Sequence, residues 1–175
     1  MTYLIIGLTT LIVLMILFWW WGKRPARHRI NLAQGNFRRY MEALLSRGYD
    51  RGFMIIEAPD RRRFIQFSKY IKNETGAGLQ FDFPLVPWSE EYFEPLKAVL
   101  DQRSYKCQIE HVNPSPKHEV KNQVREFLVI DLEQDLEKAS ELSKLVFLEV
   151  FKLKPSDMVT LWFVNISIND ERIGF

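Results

Sequence analysis

The chain opens on a run without polar punctuation. Tyr3–Trp21 holds nineteen residues and no charge. As a helix rising 1.5 Å per residue it would cover roughly 28 Å, close to the ~30 Å hydrocarbon thickness of a bilayer. After it the pattern becomes periodic. Asn36 is placed to cap a helix, and Phe37, Tyr40, Met41, Leu44 and Leu45 repeat at i, i+3, i+4, i+7, i+8 on one face, with Gly48 as the stop. Three strand-like runs follow: Phe53–Glu57, Phe64–Tyr70 and Leu79–Phe83. The last alternates Leu79, Phe81 and Phe83 against Gln80 and Asp82. Pro59-Asp60-Arg61 supplies a turn between the first two runs, and Gly76-Ala77-Gly78 a connection before the third.

The next stripe is Tyr92, Phe93, Leu96, Val99 and Leu100, with Ser89 as a candidate cap. Pro95 inside it predicts a late start, near Glu94, with proline in the first turn. Tyr105–Val112 alternates as a strand, 113–123 is a Pro-containing polar loop, and Glu126–Asp131 is the most strand-like run. Asp131 with Gln134 three residues on reads as a capping box opening a helix over Leu132–Val150. Val159–Ile168 closes as a strand. The predicted fold is α+β: an antiparallel sheet packed by helices, in the order α-β-β-β-α-β-β-α plus a terminal strand, preceded by one transmembrane helix. The division is 1–22 transmembrane helix, 23–35 basic juxtamembrane linker and 36–175 cytoplasmic α+β domain.

Charge sets the orientation. A cleavable leader would want a basic start and small residues at the cut, whereas this run starts uncharged and ends in Trp19-Trp20-Trp21. A buried core helix would carry a polar stripe, and none breaks the run. Lys and Arg at 23, 24, 27, 29, 38, 39, 47 and 51 face only Glu42 and Asp50, so this side stays cytoplasmic and the N-terminus lies outside. The expected location is the inner (plasma) membrane, single-pass. Lys23, Arg24, Arg27 and Arg29 are the candidate lipid-headgroup contacts. The whole chain carries +2 and the segment through Arg51 carries +6, leaving the rest at −4, a poor footprint for nucleic acid.

Chemistry adds little. Cys107 is the single cysteine, which excludes an intramolecular disulfide and a multi-cysteine zinc site. His28, His111 and His118 have no helical ligand spacing, and no HExxH, GxGxxG or GxxxxGK[ST] occurs. Cys107 and His111 lie on one strand face, roughly 13 Å apart, too far for direct activation. Glu133, Asp135, Glu137 and Glu141 read as a solvated helix face. No catalytic residue, metal or cofactor is expected, and no small-molecule substrate.

Four stretches resemble the type III secretion chaperone-like superfamily, in its Tir-chaperone-like branch: GFMIIE (Gly52–Glu57), RRFIQFSKY (Arg62–Tyr70), LKAVL (Leu96–Leu100) and the strand-into-helix run Arg125–Pro155. The resemblance covers residues 36–159 and implies a small α+β scaffold that binds polypeptides and pairs as dimers. It supplies no active site. Such chaperones are soluble, and the anchor is a departure from them.

Aromatic residues are 14% of the chain, and Phe81, Phe83, Trp88, Tyr92 and Phe93 gather around a Pro-bracketed turn as the candidate partner-binding patch. The functional expectation is a membrane-anchored protein-interaction module, chaperone-like: an adaptor, assembly factor or accessory subunit of a bacterial membrane complex, with a protein partner or a homodimer. The alternatives are a membrane-tethered enzyme acting on lipid-proximal substrates and an anionic-lipid sensor.

Overall fold

The computed structural model describes residues 27–72, 76–112 and 125–166. Among these lie seven strands: β1 (Arg27–Asn31), β2 (Gly48–Glu57), β3 (Phe64–Lys72), β4 (Gly76–Leu85), β5 (Gln108–Val112), β6 (Arg125–Glu133) and β7 (Met158–Ile166). They form one sheet in the order β1-β7-β2-β3-β4-β6-β5. Every neighbouring pair is antiparallel. The helices are α1 (Phe37–Arg47), α2 (Glu90–Gln102) and α3 (Leu136–Leu145), and α3 runs on through one π turn, Val146–Val150. The α+β class is therefore as the hydrophobic pattern predicts. No described helix is long and apolar enough to cross a membrane, and the apolar run 3–21 lies outside the described residues.

Strand alternation decides where the core sits. Paired residues share a face, so Met54, Phe67, Phe81 and Ile130 form one continuous row across β2, β3, β4 and β6. All four are buried, and α1, α2 and α3 add Met41, Leu44, Leu96, Leu100 and Leu142 to the same core. One cluster under one set of helices is the usual two-layer solution for an antiparallel sheet.

Local chemistry explains most element ends. The Asn36 side chain accepts the Arg39 N–H at 3.1 Å and caps α1, as the sequence suggests. The Asn31 side-chain Oδ1 accepts the N–H groups of Ala33 and Gln34 at 3.0 and 3.1 Å, turning the chain out of β1. Gly48 ends α1 in extended backbone, φ −62°, and not in the left-handed region expected of a stop glycine. Glycine is needed there for space: a Cβ would sit 2.5 Å from the Leu44 carbonyl oxygen. The buried Lys69 ammonium donates to the Gly48 carbonyl at 2.7 Å, a cation at the negative end of α1.

Five expectations need correction. Residues 27–31, assigned to the linker 23–35, form strand β1, paired from Arg27↔Trp162 to Asn31↔Met158. RHRIN has no strand signature of its own; the free edge of β7 supplies the pairing. α2 begins at Glu90 and holds Pro95 within it, on an exposed side where the unpaired carbonyl can meet water. Ser89 does not cap it; its buried hydroxyl donates to the Pro84 carbonyl at 2.6 Å and locks the turn instead. Asp131 stays in β6, and Asp135 caps α3 by accepting the Lys138 N–H at 2.9 Å. The Gly76–Gly78 run belongs to β4 and is not a connection. The polar loop expected at 113–123 lies outside the described residues.

Replacing Gly48 by Ala is expected to destabilise the domain by about 1–3 kcal/mol, because the added methyl meets a backbone carbonyl that cannot rotate away. Denaturant unfolding of the purified chain checks this.

Candidate functional site

All three helices pack on one face of the sheet, and no described element covers the other. By register this open face carries the row Arg27–Trp162–Ile55–Gln66–Asp82–Val129–Gln108, running across all seven strands. A neighbouring row runs Arg29–Thr160–Glu57–Phe64 on one side and Phe127–Glu110 on the other. Phe53, Ile55, Phe127, Trp162 and Val164 are half-buried, with no helix among the described residues stacked above them. Two polar atoms beside them, Trp162 Nε1 and Glu57 Oε2, are buried and have no hydrogen-bond partner among the described residues. The charge is uneven. Arg27 and Arg29 stand on β1, with the Arg27 guanidinium 5.8 Å from the Trp162 ring centre, and Asp82 and Glu110 stand on β4 and β5.

A concavity of about 510 Å³ lies over β3, β4 and β6, lined in part by Phe53, Tyr70, Asp82, Glu110 and Phe127, with Arg51 from the bulge between Gly48 and Phe53 of β2. Asp82 forms its floor and is 5% exposed. Its carboxylate accepts from Ser68 Oγ at 2.6 Å, Gln80 Nε2 at 2.8 Å and Gln66 Nε2 at 3.2 Å. Burial pushes the carboxyl above the ordinary carboxylate range, the Glu110 charge adds to that rise, and the three donors oppose it. Beside it the Tyr70 hydroxyl donates to Asp131 at 2.5 Å.

Nothing in this network resembles a catalytic relay. The Asp82 partners are a hydroxyl and two amides. His111 borders the concavity, but it pairs with Glu126 in register and turns to the opposite side of β5 from Glu110. Its Nδ1 lies 3.3 Å from the Glu126 carboxylate. Cys107 is exposed, and desolvation with the nearby Asp101 charge raises its thiol above the ordinary value, the wrong direction for a nucleophile. His28 lies on β1, its pKa lowered by burial, with its ring 6.2 Å from Tyr40. Among the described residues no group of three or more His, Cys, Asp or Glu is arranged to hold a metal.

The aromatic patch expected from the sequence is dissolved by the packing. Phe81 and Phe83 are fully buried under the helices and reach no surface. Trp88, Tyr92 and Phe93 pack against that core, with Trp88 6.0 Å from the Phe83 ring and Tyr92 5.1 Å from Phe151. These contacts join the α2 turn to the sheet and to the π turn after α3, and all three rings stay half-buried. The headgroup candidates divide: Lys23 and Arg24 lie outside the described residues, while Arg27 and Arg29 are strand residues on the open face. The open face itself was missed. Its one legible sign was the Gln80/Asp82 alternation, which places two polar residues opposite Phe81.

No protein-family model, curated protein or solved structure matches the chain. Function therefore has to be argued from the open face.

Asp82 provides a test with a defined sign. Its folded-state pKa is raised, so the ionised carboxylate opposes folding; the stability it contributes is full below the unfolded value near 3.8 and is lost as pH rises through the folded value. Asp82→Asn is expected to raise the unfolding midpoint by about 2–6 °C at pH 7, with the gain closing as pH falls toward 4. Thermal unfolding across that range checks it.

Proposed function

We propose that the protein is a membrane-anchored protein-interaction module. Residues 3–21 span the bilayer, the N-terminus lies outside, and the sheet domain stands on the cytoplasmic side of the inner membrane. The uninterrupted apolar run and the Lys/Arg bias after it support this placement. The chain does its work by covering surface with surface, as an adaptor or accessory subunit of a membrane complex. The observation that carries the reading is the open sheet face: half-buried Phe53, Ile55, Phe127 and Trp162, with two buried polar atoms left unpaired among them. A folded partner stacked there would exclude water from the first set and offer hydrogen bonds to the second. The likeness to type III secretion chaperones points the same way, toward a scaffold that grips polypeptide.

Anchorage raises the effective concentration of any partner confined to the same membrane. β1 sharpens this. From Trp21 to Arg27 is six residues, so a spanning run ending at Trp21 leaves the sheet within about 20 Å of the bilayer surface.

The experiment is fractionation and partner retention with the full chain. It is expected to resist extraction from membranes at alkaline pH and, in mild detergent, to keep a stoichiometric polypeptide partner, foreign or self. Ile55→Lys is expected to lose that partner roughly tenfold while changing stability by less than about 1 kcal/mol. Phe81→Ala, in the buried core, is expected to cost about 3–5 kcal/mol. Release of the chain by alkaline wash, or a solitary monomer in detergent, overturns the reading.

A further inference from the structure

We propose that the concavity on the open face binds a neutral saccharide, whose hydroxyls meet the side-chain amides of Gln66 and Gln80 while a sugar ring packs on Tyr70. The inference goes beyond the interaction reading and does not depend on it.

The floor is built around one carboxylate. Asp82 is buried and accepts from Gln80 Nε2 at 2.8 Å, Gln66 Nε2 at 3.2 Å and Ser68 Oγ at 2.6 Å. An ionised carboxylate can only accept, so it fixes which end of each amide turns toward it. Each glutamine spends an N–H on Asp82 and keeps its carbonyl oxygen and its second N–H. Neither carbonyl oxygen accepts a hydrogen bond from any described residue. Both glutamines line the concavity, each offering a donor and an acceptor side by side. A sugar suits such a pair, because every hydroxyl both donates and accepts. Side chains held in place before the ligand arrives lose little entropy on binding it.

Tyr70 supplies the stacking surface. Its ring lies over Gly78 on β4, where any Cβ would overlap the ring and its hydroxyl. The hydroxyl is held by Asp131. Glycine beneath and a carboxylate at the edge keep the ring folded down over the sheet. Phe53 on β2 and Phe127 on β6 stand to either side, three strand spacings or about 14 Å apart. The C–H face of a sugar is apolar and packs on an aromatic face, while its hydroxyls reach outward from the ring edge.

Charge selects a neutral ligand. Arg51 and Lys69 line the concavity against Asp82 and Glu110, two cations and two carboxylates. Lys69 is spent on the Gly48 carbonyl and Asp82 on its three donors. Arg51 and Glu110 stand on β2 and β5, four strand spacings or about 19 Å apart. A phosphate or an amine would want like charges gathered at one point. The volume of 510 Å³ falls within the ordinary range for small-ligand sites, about 300–1,000 Å³, and has room for a mono- or disaccharide. The rim is held as firmly as the floor. Arg51 sits in the bulge of β2 at φ 60°, opposite Asn165 of β7 at φ 57°. Asp50 beside it accepts the Ile71 N–H at 3.2 Å and, through its carbonyl, Asn165 Nδ2 at 3.3 Å. Bulges and left-handed backbone of this kind gather at ligand sites, where they re-aim a side chain.

The test applies the full chain in nanodiscs, free of sugar-based detergent, to an array of neutral mono- to tetrasaccharides that also carries sialylated and sulfated ones. The tightest ligand is then titrated by calorimetry. Neutral saccharides are expected to bind. Tyr70→Ala and Gln80→Leu are each expected to weaken that binding roughly tenfold, the unfolding midpoint of each variant being measured alongside. Asp82 is a positioning residue, and Asp82→Asn separates its role from stability. Asparagine offers one acceptor oxygen where aspartate offers two, so one amide is released. Binding is expected to fall roughly fivefold while the unfolding midpoint rises, whereas a merely structural role would move both together. An array on which no neutral saccharide binds overturns the proposal, as does a preference for the charged ones. Binding that survives both Tyr70→Ala and Gln80→Leu unchanged puts the saccharide elsewhere and overturns it too.

Discussion

The structure depends on the side-chain alternation of a β-strand, held in one register across seven strands. Because paired residues share a face, a single row such as Met54, Phe67, Phe81 and Ile130 commits half of each strand to the core. The same pairing commits the other half to the opposite side. All three helices spend their apolar stripes on the first half. The second is left with aromatic and branched side chains and with no cover among the described residues. A one-residue slip between any two strands would exchange these two populations, so the buried phenylalanines hold the exposed ones in place.

Asp82 shows how far that constraint reaches. It sits between Phe81 and Phe83, and their burial on the helix side forces its carboxylate to the other. It is desolvated there as a consequence of the pleat and compensated by Ser68, Gln66 and Gln80 from its own and the neighbouring strand. A group that opposes folding when ionised can persist when its surface has a use that stability alone does not serve.

The legible parts of the fold were those with local causes. α1 was readable because its stripe, its Asn36 cap and its glycine stop are consecutive in sequence. The β2–β3–β4 meander was readable because short connections force neighbours to pair. β1 was not, because RHRIN becomes a strand through an edge offered by residues more than 120 positions later. Pro95 misled because its cost depends on which way its helix side faces, and Asp131 because a capping pattern can occur one turn before the helix it resembles. The candidate site fared worse. Phe81, Phe83, Trp88, Tyr92 and Phe93 cluster in sequence, and clustered aromatics mark a core as readily as a surface. The open face is assembled from β1, β2, β3, β4, β5, β6 and β7, with no two of its apolar residues forming a motif.

Among the described residues β7 is the last strand in chain order but lies second from the border of the sheet, between β1 and β2. Synthesis delivers the chain from its first residue onward, so β1 and β2 emerge long before the strand that must lie between them. Until then β2 keeps a bare hydrogen-bonding border and β1 has no neighbour at all. Pairing of β1 therefore waits on β7, and the finished sheet is closed by insertion, like a keystone, not by adding a strand at the rim.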